Sequence, residues 1–298
     1  MTVAWVFPGQ GSQKIGMANK VINLPNAKDR FNYASKVFGK NLFDICEQVS
    51  ETNNLLEDLN NTKNTQICLF LVESVLLDSL KENGFEPNFI AGHSLGEITA
   101  LYCAGVLSFE DSVLLIKERS KLMAEAAKGS MAALIGFERN QLEALVEEID
   151  ELVIANDNSD SQVVLSGSEN ALDNISKRIN CKRFLKLNVS GAFHSPFMKE
   201  PSTKFSKYLD NIEFKNPNFP VISNSNPSLS NDPEELKVRL KNQMCNGVRW
   251  RETMNLMGEN RNLHIVEIGP SNVLGGLGKR HLKEVKISQV SSSDQISY

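Results

Sequence analysis

A serine between glycines, in Gly92-His93-Ser94-Leu95-Gly96, is the first residue of this chain to suggest covalent chemistry. The short apolar run Phe89-Ile90-Ala91 precedes it, and a helix-like stretch from Ile98 to Gly105 follows. A G-x-S-x-G turn between strand and helix predicts a nucleophile elbow. Its glycines let the backbone turn where a side chain would collide. Its hydroxyl stands at a helix N-terminus, where free N–H groups and the dipole favour developing negative charge. Ser94 is therefore expected to carry an acyl group. The N–H of Leu95, the residue after the nucleophile, is an expected oxyanion donor. A second N–H can come from the turn Gly9-Gln10-Gly11-Ser12. The spacing Gly9, Gly11, Gly16 does not fit G-x-G-x-x-G, which argues against dinucleotide binding.

A serine nucleophile needs a base, and the chain has 4 histidines. His93 adjoins Ser94, so its ring is expected to point away from the hydroxyl. His264 lies in a strand-like run and reads as a core or rim residue. His281 lies among Lys279, Arg280 and Lys283 and reads as surface. His194, in Ser190-Gly191-Ala192-Phe193-His194-Ser195-Pro196, falls on a loop at a domain junction, where active sites gather. It is the expected base.

Arg119 stands out on a helical wheel of residues 111–128. Leu115, Ile116, Leu122, Met123 and Ala126 form one apolar face, and Lys117, Lys121, Glu125 and Lys128 the other. Arg119 falls inside the apolar arc. A guanidinium there needs an anion. Periodicity alone leaves two readings open: a structural ion pair or snorkelling stem, and a clamp for a substrate carboxylate.

The elements that must position these residues alternate between strand and helix. Val3–Phe7 begins the series. Helical patterns follow over 27–38, 41–49 and 65–83, with Gly84 as the stop. The alternation predicts an α/β layer fold. From Met131 to Val189 the order reads βαββαβ, with strands over 131–137, 151–156, 162–166 and 183–189 and a polar turn over 157–160. That is a ferredoxin-like unit, of a size for an inserted small domain. The last third returns to the larger layer. Strands are expected over 220–223 and 264–268, and a helix opens at Asp232-Pro233-Glu234-Glu235 with an N-cap Asp and Pro at the first position. A helix over 273–282 follows, then a loose tail after Val290.

Composition narrows the function classes. The chain of 298 residues is 41% hydrophobic and 23% charged, with a net charge of −4. That balance suits a globular protein and argues against nucleic acid as the main ligand. Lys182/Arg183/Lys186, Arg249/Arg251 and Lys279/Arg280/Lys283 are local basic clusters that read first as solvated surface. No apolar run is long enough to cross a bilayer, and a strand pattern directly after Met1 predicts no leader. The 5 cysteines are widely spaced and form no CxxC. They argue for a reducing cytosol and against a zinc site, and four are expected to be buried in apolar surroundings.

Taken together, these motifs resemble the malonyl-CoA:acyl carrier protein transacylase family. The likeness runs through Phe7-Pro-Gly-Gln-Gly-Ser-Gln13, Gly92-His-Ser-Leu-Gly-Glu97, Arg119 followed by Met123, Asn156 to Gly167, Gly191-Ala-Phe-His-Ser195 and Glu267-Ile-Gly-Pro270. The resemblance implies an α/β fold with a hydrolase-like large subdomain, residues 1–127 and 193–298, and a ferredoxin-like small subdomain, residues 128–192. It implies Ser94 as nucleophile and His194 as base, with the N–H groups of Gln10 and Leu95 as the oxyanion hole. Arg119 would hold the malonyl carboxylate, with Met123, Phe193 and Asn156 also at the substrate. The Gln243 carbonyl would orient His194, and Phe193 would crowd a branched extender. The implied partners are malonyl-CoA and acyl carrier protein, with no cofactor and no metal. The implied protein is a cytoplasmic monomer serving fatty acid biosynthesis. Asp157 stands where an aromatic residue is frequent in the family, and Gly247 where proline is common. Rival readings are a serine esterase or thioesterase, a polyketide-pathway acyltransferase and a docking subunit without turnover.

Overall fold

The computed structural model describes residues 1–48, 58–126, 128–189 and 191–297. Its elements run β1 (Thr2–Phe7), α1 (Ala27–Phe38), α2 (Leu42–Glu47), α3 (Thr62–Glu82), β2 (Phe89–Gly92), α4 (Gly96–Cys103) and α5 (Phe109–Glu125). Then come β3 (Ser130–Phe137), α6 (Arg139–Glu148), β4 (Leu152–Ser159), β5 (Gln162–Gly167), α7 (Glu169–Arg178) and β6 (Cys181–Lys186). The remainder is α8 (Lys199–Leu209), β7 (Val221–Ile222), β8 (Leu229–Ser230), α9 (Pro233–Gln243), α10 (Trp250–Gly258), β9 (Leu263–Ile268), α11 (Val273–His281) and β10 (Lys286–Val290).

Two sheets result. The larger has the order β10-β9-β1-β2-β7-β8, parallel throughout except for β8 against β7. Every residue of β2 and β9 is buried, as in a parallel sheet covered on both faces. α3 is buried along most of its circumference, which explains its broad apolar surface and makes it the central helix of the main core. The smaller sheet is antiparallel in the order β4-β5-β3-β6. α6 and α7 cover one of its faces through Leu142, Leu145, Leu172 and Ile175. This is the expected ferredoxin-like unit beside a mostly parallel α/β layer.

The two crossings between the sheets run side by side. Ala192 N–H donates to Lys128 O at 3.0 Å and Leu187 N–H to Met131 O at 2.9 Å. A second seam joins β4 to the segment before α10. Val248 N–H donates to Ala155 O at 2.8 Å, and Asp157 N–H to Val248 O at 2.9 Å. A Cβ on Gly247 would lie 2.6 Å from Ile154 O, so this chain keeps glycine at that close approach. Asp157 reinforces the seam by accepting from Arg139 Nη2 at 2.9 Å and Arg251 Nε at 3.0 Å.

The structure departs from the sequence reading in several places. The polar stretch expected as a turn over 157–160 mostly continues β4, because its backbone pairs with both β5 and Val248. The last strand of the small sheet is Cys181–Lys186 rather than 183–189, so His194 lies well beyond it. Only Cys46, Cys68 and Cys103 are buried; Cys181, at the start of an edge strand, and Cys245, just after α9, are half-buried. α8, β8, α10 and β10 stand where the sequence reading places no helix or strand. In the expected loose tail, Ser293 N–H donates to Lys20 O at 3.0 Å. The reading of helix over 41–49 extends to a residue outside the described ones. Among the described residues no helix is long and apolar enough to cross a membrane.

The elbow is where backbone fit is tightest. A Cβ on Gly96 would lie 2.0 Å from Phe7 O, and one on Gly92 would lie 1.9 Å from Gly96 O. Backbone cannot yield as a flexible side chain can. Gly96→Ala is therefore expected to destabilise the protein by about 3 kcal/mol or more. Gly276→Ala, in α11, meets only Arg280 Nη1 at 3.6 Å. It is expected to be neutral or stabilising by about 0.5 kcal/mol. Urea denaturation of both variants checks this, and equal losses would contradict it.

Candidate active site

Ser94 sits at the tip of the β2–α4 turn with φ of 54°, a left-handed conformation that costs a non-glycine residue about 1–3 kcal/mol. Its surroundings hold it there. Ser94 N–H donates to Asn224 Oδ1 at 2.6 Å, while Asn224 Nδ2 donates to Gly92 O at 2.5 Å. On the other side, Gln243 Nε2 donates to Ser94 O at 2.8 Å. The elbow is thus stapled by two side-chain amides from the last third of the chain.

The structure brings His194 to this tip. Its Nε2 lies 2.8 Å from Ser94 Oγ, and its Nδ1 lies 3.0 Å from the backbone oxygen of Gln243. A carbonyl only accepts, so Nδ1 carries the proton. Nε2 of the neutral ring is then the acceptor for the serine hydroxyl. Burial, and next the Arg119 guanidinium, push His194 down to about 3. The ring is thereby kept neutral, the form a base requires. Among the described residues no carboxylate stands behind it; its Nδ1 partner is the peptide carbonyl at the end of α9, that of Gln243. His194 itself has φ of 55° in a loop fixed by Ser195 Oγ donating to Ala192 O at 2.6 Å.

Arg119 is only 1% exposed. It is neither snorkelling nor in an ion pair: among the described residues no carboxylate lies within 4.0 Å of it. Nη1 donates to Gln66 Oε1 at 2.6 Å, and Nη2 to Gln243 Oε1 at 2.9 Å and to Ser94 Oγ at 3.2 Å. Its Nε is buried without a partner. Burial lowers its affinity for the proton to a pKa of about 10, partly offset by the charge of Glu97. The site therefore holds a guanidinium beside Ser94 Oγ with donor capacity to spare.

These groups line one small cavity of about 80 Å³, together with Gln10, Leu95, Met123, Asn156 and Phe193. Every site residue expected from the sequence thus lines this cavity or, like Gln243, touches a group that does. Gln10 anchors its side chain by donating from Nε2 to Thr62 Oγ1 at 3.3 Å. Phe193 is 5% exposed and Met123 2%. Asn156 Oδ1 is buried without a partner.

The remaining histidines are elsewhere. His93 turns its ring to Asn158 Oδ1 at 2.9 Å and packs edge-on against Trp250. His264 is buried and bonds Ser288 Oγ at 2.8 Å. His281, expected on the surface, has a largely covered side chain that bonds Asn255 Oδ1 at 2.6 Å. Among the described residues, no group of three His, Cys, Asp or Glu could hold a metal.

Sequence reasoning missed Gln66, Asn224 and Glu97. Gln66 is a polar residue in the apolar run of α3, the same kind of signal that singled out Arg119. Asn224 follows the short strand β7 and carries no comparable pattern. Glu97 lies within the elbow motif, but a carboxylate in the first turn of a helix ordinarily reads as dipole compensation.

Comparison with known proteins places this geometry among relatives. Residues 4–295 match the family model of the acyl transferase domain. A malonyl CoA-acyl carrier protein transacylase of Synechocystis sp. is 41% identical over 297 residues, covering 100% of this chain and 99% of that one. The crystal structure of the malonyl-CoA:ACP transacylase from Synechocystis sp. superposes with a TM-score of 0.94 at 40% identity, covering 99% of each chain. A malonyl-transacylase in complex with its type II PKS acyl-carrier protein superposes with a TM-score of 0.91 at 34% identity, covering 99% of this chain and 98% of that one.

The neutral state of His194 is directly measurable. With imidazole-labelled protein, the His194 ring nitrogens are expected to keep neutral-form shifts between about pH 5 and 8, where an ordinary histidine titrates. The His194→Asn variant assigns the signal. An inflection near pH 6.5 from His194 would contradict the burial argument.

Proposed function

The chain belongs to the acyl transferase domain family, with malonyl CoA-acyl carrier protein transacylases as its relatives, and from that membership we propose that it moves malonyl from CoA to the thiol of an acyl carrier protein. The observation that carries the reading is a single oxygen with two partners. Ser94 Oγ lies 2.8 Å from His194 Nε2 and 3.2 Å from Arg119 Nη2. The first partner removes a proton; the second selects an acid.

The reaction runs in two halves. His194 Nε2 takes the hydroxyl proton as Ser94 Oγ attacks the thioester carbonyl of malonyl-CoA. The carbonyl oxygen becomes an oxyanion, held by the N–H groups of Gln10 and Leu95. Such donors are worth about 3 kcal/mol each in comparable sites. The C–S bond breaks, and the CoA sulfur leaves with the proton from His194. In the second half the carrier thiol gives its proton to His194 and attacks the malonyl-serine ester. The C–O bond to Ser94 breaks and Oγ recovers the proton. Throughout, the buried Arg119 guanidinium pairs with the free malonyl carboxylate, for which its unpartnered Nε is a ready donor. Phe193, on the loop beside His194, limits room for a branch on the acyl chain. Met123 and Asn156 complete the pocket.

We assign residues 128–192 to the small subdomain and the rest to the catalytic one, so the acyl pocket lies between them. The reading includes a monomer in the cytosol with no bound cofactor. No second copy is needed to complete the Ser94–His194–Arg119 set, and 5 free cysteines suit a reducing compartment. The pathway we assign is fatty acid biosynthesis. One relative is solved with a type II PKS carrier, so a polyketide pathway is the second reading. Relative transfer rates to the two kinds of carrier separate them.

Intact-mass measurement after mixing with malonyl-CoA is expected to show one malonyl adduct on the native chain and none on Ser94→Ala. An adduct undiminished in the variant would reject the assignment. Release of the acyl group to water faster than to a carrier thiol would instead make the protein a thioesterase. Arg119→Ala is expected to lower kcat/KM for malonyl-CoA by roughly a hundredfold or more, the scale of a lost buried charge pair. Its acetyl-CoA value is expected to change far less. Equal losses with both thioesters would remove Arg119 from the role of clamp.

A further inference from the structure

Glu97 is the buried acid of the site that the reaction above does not use. It stands in the first turn of α4, 1% exposed. Its Oε2 accepts from Gln243 Nε2 at 2.7 Å and from Asn224 N–H at 3.2 Å. Both partners are the residues that staple the Ser94 elbow. Gln243 also passes the contact onward, since its Oε1 accepts from Arg119 Nη2 at 2.9 Å. One amide therefore has the guanidinium at its oxygen and the carboxylate at its nitrogen.

We propose that Glu97 is a positioning residue: it fixes the orientation of the Gln243 amide and, through it, holds Arg119 ready for an acidic substrate without occupying the guanidinium itself. The proposal rests on the reading that Arg119 takes the malonyl carboxylate.

The chemistry follows from donor and acceptor counting. A carboxylate only accepts, so Glu97 requires the –NH₂ end of Gln243, and Ser94 O requires the same end at 2.8 Å. The oxygen end is left facing Arg119. A flipped amide would set –NH₂ against guanidinium N–H and oxygen against carboxylate, two repulsions at once. A buried guanidinium also needs a compensating charge nearby. A carboxylate in direct contact would supply it but would compete with the substrate for the same donors. Glu97, one amide away, offsets the charge and leaves Nε without a protein partner. Its own carboxyl is held above the usual range by burial, and the donors around it and Arg119 pull it back down.

The test uses the full chain with malonyl-CoA and acetyl-CoA as donors and a carrier protein as acceptor. The variants are Glu97→Gln, Glu97→Asp and Arg119→Ala. Glu97→Gln keeps the shape but can offer –NH₂ where only an acceptor fits. It is expected to lower the malonyl-over-acetyl preference roughly tenfold, as for one lost charge-assisted hydrogen bond, chiefly through a higher KM for malonyl-CoA. Glu97→Asp keeps the charge but withdraws it from Gln243. It is expected to shift the preference the same way, and it keeps the proposal open to refutation if Glu97→Gln fails to fold. Parallel loss of both activities in the folded variants would mean a merely structural carboxylate and overturn the proposal. So would an unchanged preference in both Glu97 variants while Arg119→Ala loses it. A preference retained in Arg119→Ala would instead overturn the clamp reading, and this inference with it.

Discussion

A guanidinium held in the protein core beside the Ser94 hydroxyl is the constraint on which the site depends. Arg119 is almost fully buried, and removing that charge from water is costly unless it finds donors' counterparts nearby. The chain meets this cost with neutral oxygens. Gln66 Oε1, Gln243 Oε1 and Ser94 Oγ all accept from Arg119, and the nearest compensating acid is set one amide away. The consequence reaches His194. The same burial and the same positive charge keep His194 neutral, and on the proposed function this one arrangement serves both the choice of an anionic acyl group and the proton acceptor.

The fold supplies these groups from distant parts of the chain. β2 and α4 build the elbow, α5 brings Arg119, α3 brings Gln66, and the end of α9 brings both the carbonyl behind His194 and the amide beneath Ser94. A parallel sheet buried on both faces makes this possible, because consecutive loops gather along one edge of it. The small sheet then closes the pocket. The paired crossings at Lys128 and Ala192, and the seam through Val248, fix where its β4 edge stands over the elbow. His93, next to Ser94, is tied to that seam through Asn158.

Much of this was legible in the residues. The elbow announced itself by glycine spacing, which reflects backbone collisions that the structure places at 2.0 Å or less for a Cβ on Gly92 or Gly96. Arg119 betrayed itself as a charge in an apolar stripe. The order βαββαβ was readable because strand and helix periods differ. What stayed hidden was contact between segments far apart in sequence. Asn224 lies 130 residues from Ser94 and bonds its N–H, and no local pattern encodes that meeting. Asp157 looked like part of a polar turn, yet it is a strand residue held between two arginines, one of them 94 residues away. In α10, Trp250, Met254 and Met257 keep helical spacing, but Arg249 and Arg251 beside them carry the pattern of a solvated surface.

On the proposed function, one acyl group is joined to Ser94 Oγ while its acid end rests on Arg119. Diffraction from crystals soaked briefly in malonyl-CoA tests it most directly. Density is expected to run continuously from Ser94 Oγ into a malonyl ester, with the terminal carboxylate within hydrogen-bonding distance of the Arg119 guanidinium and the ester oxygen facing the N–H groups of Gln10 and Leu95. A malonyl group bonded to another residue, or one whose carboxylate points to solvent while Arg119 keeps only its protein partners, would contradict it.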